Sequence, residues 1–218
     1  MRTIAVVSRK GGAGKTTLAL HLAMAAHLRG LSTVLADADP QRSASEVLRG
    51  RIDAGPKRCE TSGPKLFALK DSSQRFGADL LVIDTPAGPE PDLADAIALA
   101  DLTLVVVRPT FIDLAAAVRT IESARRLGRA GEIVLNQAYP ARGGRETATV
   151  RKAIEALRFT NMPVAPVVVR ARAVLQTALA AGKSAEEFGP SAAAAEIAAL
   201  WDHVAAQLGH TAAQLKRA

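Results

Sequence analysis

An apolar run, Ile4–Val7, leads through Ser8 and Arg9 into Lys10-Gly11-Gly12-Ala13-Gly14-Lys15-Thr16-Thr17, and a helix-forming stretch follows from Lys15 to Arg29. Few features restrict a fold more. Glycines between a strand and a helix let backbone N–H groups turn towards an anion, and the helix N-terminus adds positive charge at the same point. The ordinary phosphate loop reads Gly, four residues, Gly-Lys-Ser/Thr. Gly14-Lys15-Thr16 supplies the end of that pattern, but its first glycine falls on Arg9, and Lys10 stands before the glycines instead. Gly11, Gly12, Ala13, Gly14, Lys15, Thr16 and Thr17 therefore read as a cradle for the phosphates of a nucleotide. Lys15 is expected on the β- and γ-phosphates, Thr16 on Mg²⁺ and Thr17 near the α-phosphate.

Beyond the loop, short apolar runs alternate with helical patterns, which predicts an α/β fold with a mostly parallel central sheet flanked by helices. Strands are expected at Ile4–Val7, Thr33–Ala36, Leu80–Ile83, Thr103–Val107, Ile133–Leu135 and Val167–Val169. Helices are expected from Lys15 and near 65–75, 92–99, 112–127, 146–158, 171–181 and 191–208. Residues 50–65, rich in Gly and Pro, read as a surface loop. No linker divides the chain, so 1–218 reads as one three-layer domain with a tail from about 209 that is free to move.

Two acidic segments follow strands. Asp84 ends Leu80-Leu81-Val82-Ile83, where a carboxylate beside a phosphate loop can hold the Mg²⁺ shell, directly or through water. A turn or helix-cap aspartate before Pro86 is the alternative. Asp37-Ala38-Asp39-Pro40-Gln41 follows the second strand, and one of its acids can face the phosphates and position an attacking water. An Asp-Pro turn is the alternative there.

Cys59 is the one cysteine, so an internal disulfide is excluded, which fits a reducing cytoplasm. The first apolar run is too short for a signal peptide, and no run approaches the roughly 20 residues of a membrane span. The net charge of +7 is concentrated. Between Arg119 and Arg172 eleven Lys/Arg face four acids, so this window holds the whole excess. Arg145, Arg151, Arg170 and Arg172 are its candidates for gripping the phosphates of duplex DNA without reading bases. An ordinary Arg-rich solvated face is the alternative.

Lys10-Gly-Gly-Ala-Gly-Lys15-Thr-Thr, Asp37-Ala-Asp39-Pro-Gln and Ile83-Asp84-Thr-Pro together resemble the ParA family of deviant Walker A ATPases, which partition DNA or position other cargo. The order of motifs matches, and the αβ pattern does so over nearly the whole chain. The start directly at strand one resembles the small members without an N-terminal DNA-binding domain. The resemblance implies the three-layer P-loop NTPase fold and an ATP- and Mg²⁺-dependent ATPase of weak basal rate. It implies a homodimer formed on ATP, with Lys10 reaching the partner's nucleotide. It also implies hydrolysis dependent on Asp39, a Walker B acid at Asp84 and an adenine contact from Asn136. Arg172 resembles a position that contributes to DNA binding in the family. Nonspecific double-stranded DNA, a ParB-like adaptor and a cytoplasmic, nucleoid-associated state follow from the same resemblance. A membrane-bound switch resembling MinD is the rival, but the tail from Gln207 to Ala218 has too little bulky apolar surface to anchor on lipid. Electron-transfer and metallochaperone relatives need a cysteine pair that one Cys59 per chain does not provide.

Overall fold

The computed structural model describes residues 1–88, 90–141 and 143–209, so most of the expected flexible tail lies outside the described residues. Six strands form one parallel sheet: β1 (Arg2–Val7), β2 (Thr33–Asp37), β3 (Lys57–Glu60), β4 (Leu80–Asp84), β5 (Leu102–Val107) and β6 (Gly131–Leu135). Their order is β3-β2-β4-β1-β5-β6, with every adjacent pair parallel. Parallel strands need long crossovers, and the helices supply them. These are α1 (Lys15–Leu28), α2 (Ser43–Arg49), α3 (Leu66–Arg75), α4 (Glu90–Leu99), α5 (Phe111–Arg126), α6 (Ala148–Leu157), α7 (Ala173–Ala180) and α8 (Ala192–Gln207).

Both sheet faces are covered, which is why the strands read as unbroken apolar runs. Alternation along each strand still sorts side chains to two cores. Ile4, Val6, Val82, Leu104 and Val134 pack with α1 and α8, whose Ile197, Leu200 and Trp201 complete that layer. Ala5, Val7, Ile83, Val105 and Leu135 pack with Leu93, Ile97, Ile121, Val150 and Leu157 on the opposite face. The result is the three-layer P-loop fold expected from the sequence.

Two expectations need correction. The stretch 50–65 contains β3, an edge strand whose outer residues are polar and exposed, so no apolar run marks it. Val167–Val169 forms no strand. Val169 exchanges backbone hydrogen bonds with Leu135 and Ala138 beyond the edge of β6, and among the described residues the flanking chain makes only isolated bridges, Val164 to Ile133 and Arg170 to Ala138. Pro163 and Pro166 lack the N–H groups a continuous ladder would use. No helix among the described residues is long and apolar enough to cross a membrane.

Candidate functional site

β1 lies near the middle of the sheet, and the chain moves to one side of it for β2 and to the other for β5. The crevice at the carboxyl ends of strands beside such a switch point is where α/β sheets bind ligands. The loop from Ser8 to Gly14 occupies that place. Gly12 and Gly14 have φ of 73° and 91°, which a residue with a Cβ adopts only with strain. The Gly14 carbonyl accepts the first α1 hydrogen bond, from Leu18 N–H at 3.0 Å. Gly11 and Gly12 are exposed, Thr16 and Thr17 are half-buried, and Ala13 is buried.

Lys15 is 6 % exposed. Burial pulls its ammonium below the ordinary lysine value, against the opposing attraction of Asp84 and Asp39. Asp84 is fully buried, and neither carboxylate oxygen has a hydrogen-bond partner among the described residues. Burial pushes its carboxyl up to about 7, with Asp37 and Asp39 adding to the rise and the nearby Thr16 hydroxyl and Lys15 opposing it. A buried carboxylate with four vacant lone-pair sites costs several kcal/mol unless a cation or donor meets it. Its orphaned oxygens beside Thr16 and Lys15 fit a Mg²⁺–phosphate group. Thr85, next in sequence, donates its hydroxyl to Val6 O at 2.8 Å and so ties the end of β4 to the root of the loop.

The two acids after β2 separate clearly. Asp37 is buried, and its carboxylate accepts from Ser45 N–H at 2.8 Å and Asp39 N–H at 3.2 Å, which caps the start of α2. Arg42, at φ 54°, donates to the Asp37 carbonyl. Asp39 is half-exposed, its carboxylate accepts from Gln41 N–H alone among the described residues, at 2.8 Å, and it lines a cleft of about 680 Å³ with Ser62, Pro64, Pro86 and Asp95. Lys10 is also half-exposed; its N–H donates to the Ser8 hydroxyl at 3.3 Å and its ammonium has no partner among the described residues.

A second cleft, about 410 Å³, opens on the other side of the loop between Thr17, Asn136, Gln137, Arg170, Arg172 and Gln176. Its size suits a nucleobase and ribose. Asn136 Nδ2 donates to Ala13 O at 2.8 Å, which leaves its Oδ1 as the acceptor available to a base amino group. Gln137 and Gln176, which have no sequence signal, reach the loop and Thr17: Gln137 Nε2 donates to Gly12 O at 2.9 Å and Gln176 Nε2 to Thr17 Oγ1 at 3.1 Å.

The four candidate DNA-binding arginines do not form one free patch. Arg170 is 8 % exposed, ion-paired to Glu146 and bonded to Tyr139 O at 3.2 Å. Arg172 pairs with Glu196 at 2.6 Å, which raises its pKa further. Arg145 is exposed, and Arg151 is exposed with a hydrogen bond to Glu146 O at 3.3 Å. Arg125 and Arg129 lie apart from these, in a cleft with Gly131, Asn161 and Gln207 at the amino-terminal end of β6.

Residues 4–185 match the model of the CobQ/CobB/MinD/ParA nucleotide binding domain. Over 201 residues the chain is 33 % identical to the maintenance of carboxysome distribution protein A of Halothiobacillus neapolitanus, covering 86 % of this chain and 88 % of that one. Among solved structures, apo McdA from Cyanothece superposes with a TM-score of 0.78 at 16 % identity, over 94 % of this chain and 99 % of that one. The septum site-determining protein MinD of Pyrococcus horikoshii, complexed with Mg-ADP, superposes with a TM-score of 0.74 at 20 % identity, over 93 % and 95 %.

Proposed function

The chain belongs to the CobQ/CobB/MinD/ParA family of nucleotide-binding proteins and is a ParA/MinD-type P-loop ATPase; from that premise we propose that it is a positioning switch whose ATP-bound dimer holds nonspecific DNA. A ParB-like adaptor on the cargo would stimulate hydrolysis and release it. The carrying observation is Lys10, whose ammonium, without a partner among the described residues, stands at the mouth of a loop that already has its own phosphate lysine, Lys15. One lysine per nucleotide suffices within a chain, so the second is available to a nucleotide held by another copy.

Bound ATP supplies the phosphate bond to be broken, and Mg²⁺ neutralises charge on its phosphates. The chain's own residues have distinct parts. The loop from Gly11 to Gly14 offers backbone donors, Lys15 and Thr16 close on the phosphate end, and Asp84 holds the cation or its water. Asp39, the less encumbered of the two acids, orients the attacking water. Asn136 Oδ1 accepts from the base. Arg145 and Arg151 meet DNA phosphates, which calls for no base contact and places the protein in the cytoplasm, on the nucleoid when ATP is bound. Similarity to a protein named for carboxysome distribution favours a protein assembly as cargo over a chromosome.

The test combines size measurement with DNA binding. With ATP and Mg²⁺ at low salt, wild type is expected to dimerise and retain duplex DNA, whereas Lys10→Ala stays monomeric yet still binds nucleotide. Normal dimerisation of Lys10→Ala would overturn the role of Lys10. Absence of DNA retention by wild type, with retention on anionic liposomes instead, would replace DNA with a membrane as the surface.

A further inference from the structure

We propose that Gln137 is a positioning residue for nucleotide binding, the outer half of a two-amide brace that holds the phosphate loop from behind. A loop that turns its N–H groups towards an anion turns carbonyls the other way, and those carbonyls need donors. Three successive carbonyls are satisfied here: Gly14 O by Leu18 N–H, Ala13 O by Asn136 Nδ2 at 2.8 Å and Gly12 O by Gln137 Nε2 at 2.9 Å. The last two donors are adjacent residues from a strand end more than a hundred positions away in sequence. Neighbouring side chains of an extended chain point to opposite sides, so Asn136 and Gln137 could not both serve the loop from a regular strand.

The backbone shows how they do. Gln137 sits at φ 53°, in the left-handed region that a long side chain rarely adopts. Such strain persists where the surroundings impose it, and it concentrates at functional sites. The twist ends the alternation of β6, brings the second amide round to the side of the first, and lets the chain resume at Ala138, whose N–H bonds Val169 O at 3.1 Å. The brace lies directly against the loop. A Cβ on Gly14 would meet Asn136 Nδ2 at 2.3 Å and Gln137 Nε2 at 3.1 Å. Asn136 is 3 % exposed, whereas Gln137 is exposed, so the outer bond can be removed without opening the core.

The inference rests on nucleotide binding alone and is independent of DNA, dimerisation and adaptor. Affinity for a fluorescent ADP analogue with Mg²⁺, the KM and kcat of ATP hydrolysis, and the melting temperature are measured for wild type, Gln137→Gly, Gln137→Asn and Gln137→Met. Glycine relieves the backbone strain and removes the donor. Asparagine suits the left-handed backbone but is one methylene too short. Methionine keeps length without a donor. All three are expected to weaken nucleotide binding and raise KM roughly three- to tenfold with little change in kcat. Gln137→Gly is expected to melt no lower than wild type, which separates the effect from general destabilisation. Wild-type affinity in Gln137→Asn and Gln137→Met, or losses that follow melting temperature alone, would overturn the brace. Failure of wild type to bind the nucleotide would instead overturn the premise that the loop is a nucleotide site.

Discussion

Asp37 and Asp39 carry the same carboxylate two positions apart, and their surroundings give them different work. Removing the Asp37 side chain strands the Ser45 and Asp39 N–H groups, a loss of about 1–3 kcal/mol. Asp37→Ala is therefore expected to lower the melting temperature by several degrees, while Asp39→Ala leaves it nearly unchanged and abolishes ATP turnover; parallel melting and phosphate-release measurements separate the two. His21 also acts through its surroundings. Its Nε2–H donates to Leu175 O and its Nδ1 accepts from Ala185 N–H, both at 3.3 Å, so the ring has no site left for a second proton. Burial lowers its pKa from 6.5 to about 4, with the Leu175 carbonyl and the charge of Glu187 opposing. The unfolded chain thus binds the extra proton first as pH falls. The stability due to neutral His21 is complete above about pH 6.5 and is lost towards pH 4, roughly 3 kcal/mol in all. Denaturant midpoints at pH 7 and 5 should differ less for His21→Gln than for wild type.

At the scale of elements, the site depends on helices that contribute no residue to it. α8 starts at a Ser191 cap, its hydroxyl accepting from Ala194 N–H at 3.1 Å, and packs Ile197, Leu200 and the fully buried Trp201 into the core shared with α1. α1 carries Lys15, Thr16 and Thr17 on its first turn, so α8 supports the floor of the site. Trp201→Ala is expected to cost about 3–5 kcal/mol, read as a lower denaturant midpoint, through the cavity left behind. Most helices and the central strands were legible in the sequence, the strands as short unbroken apolar runs and the helices as longer stretches between turn residues. α2 and β3 were not. α2 is seven residues long, and β3 is four residues on an exposed edge, three of them charged, without an apolar face. Val167–Val169 had strand composition but prolines on its flank, so its pairing stops at bridges.

Across the whole molecule the basic window divides. Arg170 and Arg172 line the cleft beside Asn136 with their charges matched by Glu146 and Glu196, Arg145 and Arg151 are presented outward, and Arg125 and Arg129 lie at the other end of β6. Duplex DNA binding in ATP is expected to weaken steeply with salt, and Arg145→Ala or Arg151→Ala should each lower the slope of log K against log salt by about 1. Arg172→Ala is expected to perturb folding as well, because it leaves the half-buried Glu196 carboxylate with the Arg170 N–H, at 3.0 Å, but without the guanidinium that matches its charge. The sequence by itself determined the phosphate loop, the acids that close β2 and β4 and the parallel αβ order. Each of these is written in contiguous residues, where a strand, a turn and a helix start succeed one another within a few positions. Only the tertiary structure decided which acid is free, which arginines are neutralised and that Gln137 bends out of its strand to meet Gly12. Those outcomes depend on contacts between residues far apart in the chain, and no local period records them.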